Sequence, residues 1–152
     1  MRILGVDPGS ARIGFGLIID RPRLKMVDYG TLEVRGLKEL AVKYERLLND
    51  LKPGLVAIEK LYFAKNSKTA LSVAEARGVL QLLTFNCRLP VLEYSPATVK
   101  KTVCGYGRAD KKAVAKMVCW LLGVDKIQGF DDASDALALA LTAALSYPHL
   151  TE

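Results

Sequence analysis

A chain of 152 residues that is 51% hydrophobic and 25% charged has the size and apolar content of one globular domain, here residues 1–152, and excludes a disordered chain. Its 22 Lys and Arg against 16 Asp and Glu leave a net charge of +6, which favours a polyanionic partner. The longest apolar run, broken by Thr142, is shorter than the roughly 20 residues that cross a bilayer, and the N-terminus lacks signal-peptide regions, so a cytoplasmic protein with no membrane contact is expected.

The first 19 residues, MRILGVDPGSARIGFGLII, place a Pro-Gly-Ser turn between apolar runs and predict two short strands. Residues 24–35 predict a third, with Leu32 and Val34 alternating against Thr31, Glu33 and Arg35. From Leu37 to Leu51 apolar side chains recur every three or four residues, the pattern of an amphipathic helix, and Lys52-Pro53-Gly54 ends it. LVAIE, residues 55–59, reads as a buried strand closing on a glutamate. Ser67 to Cys87 predicts a long helix with Gly78 inside it, a residue that often permits close backbone packing. LPVLEYS predicts the next strand, Pro96 to Val103 a short helix, and CGYGRAD a flexible loop. Helices from Asp110 to Leu122 and from about Asp132 to Ser146 complete the pattern. Antiparallel strands followed by strands alternating with helices describe an α/β fold, a mixed sheet flanked by helices on both faces.

Cys87, Cys104 and Cys119 are odd in number and far apart, and His149 is the sole histidine, so neither disulfides nor structural zinc are expected. Cations concentrate instead at Lys100, Lys101, Arg108, Lys111, Lys112 and Lys116. Acids stand at the ends of apolar elements: Asp7 after RILGV, Glu59 after LVAI, and Asp131, Asp132 and Asp135 before ALALALTAAL. Capping would explain one aspartate at that helix start, at roughly 1 to 2 kcal/mol, but not three. Residues three or four apart share a helix face, so Asp135 can act beside Asp132 or beside Asp131, and spacing leaves the choice open. Converging carboxylates repel by about 4 kcal/mol per pair at 4 Å and an effective dielectric of 20, which calls for a compensating cation. With no histidine or cysteine in the set, that cation is a hard one, Mg²⁺ or Mn²⁺, and two such ions are the usual apparatus for displacement at phosphorus.

In order along nearly the full chain, ILGVDPGSARIGFGLI, VAIEKLYFAKN, TALSVAEARG, SPATVKKTVCGYGRADK and DDASDALALALT resemble the RuvC Holliday-junction resolvases. The resemblance implies a ribonuclease-H-like fold with a five-stranded mixed sheet and a homodimer formed around the helix containing Gly78. It implies Mg²⁺-dependent nicking of two opposed strands of a four-way DNA junction, leaving 5′-phosphates, and a branch-migration motor as a further partner. Carried over residue by residue, it makes Asp7, Glu59, Asp132 and Asp135 the catalytic and metal-binding acids, choosing Asp132 over Asp131. It puts Tyr62 on a loop facing the junction, where an aromatic face on a base contributes about 1 to 3 kcal/mol, with Lys65 and Asn66 beside it. Lys100 and Lys111 match basic positions that would neutralise phosphate near the cut. Two rival readings accompany it. GVDPGSARIG also resembles the phosphate hairpin of actin-like ATPases and sugar kinases, whose second lobe 152 residues cannot supply. A non-catalytic junction binder, or a nuclease acting on RNA, would use the same basic charge and aromatic loop.

Overall fold

The computed structural model describes residues 1–62, 68–129 and 131–147. Among them, strands β1 (Arg2–Asp7), β2 (Arg12–Ile19) and β3 (Lys25–Glu33) precede helix α1 (Leu37–Leu51) and strand β4 (Leu55–Glu59). Helix α2 (Ala70–Asn86), strand β5 (Val91–Tyr94) and helices α3 (Pro96–Cys104), α4 (Lys111–Leu122) and α5 (Asp131–Ser146) follow. The strands form one sheet in the order β3-β2-β1-β4-β5, with β1–β2 and β2–β3 antiparallel and β1–β4 and β4–β5 parallel. Hairpin connections early in the chain and helical crossovers later produce this division, since parallel neighbours need a long connection.

Strand alternation sends successive side chains to opposite faces, and the sheet therefore has two cores. Leu4, Val6, Ile13, Phe15, Val56 and Ile58 face α1 and α2. Ile3, Ile18, Leu55 and Ala57 face α3, α4 and α5. Between α1 and α2 the buried Tyr44 and Thr84 hydroxyls are hydrogen-bonded at 2.9 Å, so neither polar group is stranded in the core. Helix α5 is buried without interruption from Ala136 to Ala144, because it lies between the sheet and the α3–α4 pair. Its one polar residue there, Thr142, donates to the Ala138 carbonyl at 2.8 Å.

Several boundaries differ from the sequence expectation for local reasons. Asp110 is the cap of α4, accepting from the Ala113 N–H at 2.7 Å, and so stands just outside the helix it was expected to begin. The strand expected over LPVLEYS is confined to Val91–Tyr94, since the Leu89 N–H is taken by the Thr84 carbonyl at the end of α2. Helix α2 begins at Ala70, whereas Ser67 lies outside the described residues. Helix α5 starts at Asp131. Gly78 has nothing within 4 Å of where a Cβ would stand, so within this chain it packs against no backbone.

Candidate active site

Asp7 and Glu59 are the last residues of β1 and β4, which run parallel with Val6 opposite Ile58. The two carboxylates therefore leave the same end of neighbouring strands. Asp132 reaches that end from the first turn of α5 and Asp135 from the turn after it, and glycines decide how closely the helix approaches. On β1 and β2 the residues facing α5 are Ile3, Gly5 and Asp7 and Arg12, Gly14, Gly16 and Ile18, with Gly5 opposite Gly16 and Asp7 opposite Gly14. A Cβ on Gly5 would stand 1.8 Å from the Ala136 carbonyl oxygen, and one on Gly14 would stand 2.1 Å from that of Asp132. One on Gly16 would fall 2.6 Å from Leu137 Cγ. The helix backbone rests directly on bare strand, which brings Asp132 alongside Asp7.

The acids share one electrostatic environment. Burial, then Glu59, Asp135 and Asp132 in turn, push the Asp7 carboxyl up to about 8, and Lys111 opposes them. Glu59 is raised by burial and then by Asp135, against Lys111 and Lys100. Asp135 is also raised by burial, only partly offset by Lys111, whose Nζ donates to Asp135 Oδ2 at 3.4 Å. The same pairing raises Lys111. Asp132 Oδ2 accepts from Arg12 Nε at 2.6 Å. Glu59, Asp135, Lys100 and Lys111 line a common cavity of about 180 Å³.

This donor set, all carboxylate oxygen and partly desolvated, fits a hard divalent cation, which would offset the burial and the neighbouring acids that push the Asp7 carboxyl up. It is not a finished ligand cage. Among the described residues no three His, Cys, Asp or Glu side chains stand close enough to hold an ion as they are, and Asp132 and Asp135 are engaged by Arg12 and Lys111.

The structure thus brings together Asp7, Glu59, Asp132, Asp135, Lys100 and Lys111. Tyr62, three residues beyond Glu59, is 61% exposed, so it belongs to neither core. Lys65 and Asn66 lie outside the described residues. Sequence reasoning did not find Arg12 or Arg77. Arg12 occupies the β2 face that Gly14 and Gly16 mark as covered by a helix, and that alternation is the signal that would have found it. Arg77 on α2 donates through Nε to the Glu59 carbonyl at 3.1 Å and pairs with Glu93 on β5 at 2.8 Å, buttressing the backbone that carries Glu59. No local pattern in the sequence announces that contact.

A mixed five-stranded sheet in this order, with carboxylates at the ends of β1 and β4 and on the helix crossing them, defines the ribonuclease-H-like class. Residues 3–143 match the profile of the family described as crossover junction endodeoxyribonuclease RuvC. A relative of that name from Caldicellulosiruptor saccharolyticus is 43% identical, with 96% of this chain and 93% of the relative covered. The Thermus thermophilus RuvC structure superposes with a TM-score of 0.86 at 27% identity, over 95% of this chain and 94% of that one. The same T. thermophilus protein in complex with Holliday junction substrate gives 0.87 at 27% identity, covering 95% and 93%. The chain belongs to the RuvC family of crossover junction endodeoxyribonucleases.

Proposed function

We propose that this protein is a structure-specific endonuclease that resolves four-way DNA junctions by nicking two opposed strands and leaving 5′-phosphates. The observation that carries the reading is the shared field of Asp7, Glu59 and Asp135 at the ends of β1, β4 and the start of α5, edged by Lys100 and Lys111. Asp7, Glu59, Asp132 and Asp135 would hold two Mg²⁺ ions, with Mn²⁺ as a substitute. Ions so held would supply Lewis acidity at a phosphate group.

The chain's own residues supply the rest. Lys100 and Lys111 neutralise phosphate beside the acids, and each such contact adds about 0.9 to the log-log salt slope of binding. Exposed Tyr62 stacks on a base of the junction centre, with Lys65 and Asn66 assigned to the same contact. Pairing of the incisions comes from a homodimer through α2, whose outer face exposes Leu71, Leu82 and Phe85 around the open position at Gly78. No described helix is long and apolar enough to cross a membrane, and this reading puts the protein in the cytoplasm. A branch-migration motor as partner rests on the family likeness alone.

The test is cleavage of a synthetic four-way DNA junction with Mg²⁺, by the wild type and by Asp7→Asn. Wild type nicks the junction symmetrically and leaves plain duplex DNA intact, while the variant binds the junction and does not nick it. Normal cleavage by Asp7→Asn would remove Asp7 from the mechanism, and equal cutting of RNA duplexes would overturn the substrate.

A further inference from the structure

The connection between α3 and α4 carries an aromatic side chain that the reading above leaves unused. Tyr106 is 56% exposed and packs into neither core. Its mount is fixed at both ends. Gly105, at a φ of 89° that suits glycine, closes α3 through its N–H to the Lys101 carbonyl at 2.9 Å, and Asp110 caps α4. Between them Gly107 lies close to α3, where a Cβ would be 3.6 Å from the Ala97 carbonyl oxygen. An exposed ring on a short, doubly capped connection loses little conformational entropy when it meets a ligand.

Its surroundings name the ligand. From residue 100 to 112 the chain has five cations, Lys100, Lys101, Arg108, Lys111 and Lys112, against one acid, Asp110, whose carboxylate is occupied by capping. Lys101, Arg108 and Lys112 are exposed, while Lys100 and Lys111 line the cavity that also holds Glu59 and Asp135. The cationic segment that carries Tyr106 is therefore flanked on both sides by lysines of the candidate active site. Tyr62, by contrast, belongs to the connection leading into α2, on the other layer of the sheet.

We propose that Tyr106 is a second aromatic contact for DNA, its ring packed on a nucleotide of the strand that runs along the α3–α4 cations into the site, with Arg108 on an adjoining phosphate. The proposal rests on the junction-cleaving reading. A ring serves here because stacking accepts any base, whereas the lysines supply attraction without position.

The test is the anisotropy of a fluorescein-labelled four-way junction titrated in EDTA with the full chain over a series of salt concentrations. Tyr106→Ala weakens binding roughly tenfold with an unchanged salt slope, and Tyr106→Phe stays within about twofold of wild type, because the ring and not the hydroxyl makes the contact. Arg108→Gln lowers the slope by about 0.9. Thermal midpoints of the three variants match wild type, since both side chains are exposed. Junction binding by Tyr106→Ala equal to wild type overturns this proposal and leaves the nuclease reading standing, as would be found were the surface a protein-docking site. A wild-type chain that binds no junction overturns both.

Discussion

Asp7 concentrates the tension of the site. A carboxyl whose ordinary value is 3.8 is held at about 8 in the fold, chiefly by burial and then by its acidic neighbours. Between those values the folded chain keeps a proton that the unfolded chain releases, so raising the pH through that window favours unfolding. Below 3.8 the residue is neutral in both states and costs nothing. Asp7→Asn removes the titration. In EDTA its melting temperature is expected to coincide with wild type near pH 4 and to exceed it progressively up to pH 8, where the difference in stability is on the order of a few kcal/mol. Mg²⁺ should then stabilise wild type more than the variant, because binding to the folded state adds stability by mass action. Melting curves that run parallel across the pH range would show that Asp7 is not held in the field described. The sequence exposed the acids and Lys111 but not Arg12, which meets Asp132 across 120 residues of chain, a pairing that no local pattern encodes.

At the level of elements, periodicity located most of the architecture. The heptad-like spacing from Leu37 to Leu51 matches α1 at both ends, and LVAIE matches β4, because burial on one face or on both leaves a direct imprint on composition. What periodicity did not deliver was the seating of α5, which depends on three glycines from two strands. Gly14→Ala would place a methyl group where the Asp132 backbone lies, and no rotation of a side chain relieves a clash with backbone. Overpacking of that kind costs about 1 to 3 kcal/mol. The expected outcome is a lower melting temperature together with a loss of nicking larger than the loss of folded protein, since the helix must lift and carry Asp132 and Asp135 away from Asp7. A Gly14→Ala protein that nicks at the wild-type rate would show that the acids do not depend on this close seating. Gly78 stays open within this chain for a related reason: a helical glycine signals space, and the sequence does not say whether that space is filled from inside the chain.

For the whole molecule, the outer face of α2 gathers several exposed large apolar side chains. Leu71 at 74%, Leu82 at 59% and Phe85 at 56% exposure lie along one face of a helix whose inner face packs on α1 and on the sheet. A second copy of the chain would cover it and bring a second set of acids onto a two-fold axis. Sedimentation of the wild type at micromolar concentration should give a dimer, and Leu82→Glu a folded monomer that no longer makes paired incisions. A wild-type monomer would sever the link between α2 and symmetric cutting. Arg77 stands next to Gly78 on α2 and donates to the Glu59 carbonyl, so α2 and the backbone that carries Glu59 share a hydrogen bond.

The glycine-seated helix also bears on the life of the unfinished chain. Asp7 and Glu59 leave the ribosome early, whereas Asp132 and Asp135 arrive with α5, the last of the described helices. Until that helix docks, Asp7 and Glu59 stand at the ends of two interior strands without Asp132 and Asp135 beside them. The acid cluster is in this sense assembled late, withheld until α5 has been made and seated on the sheet.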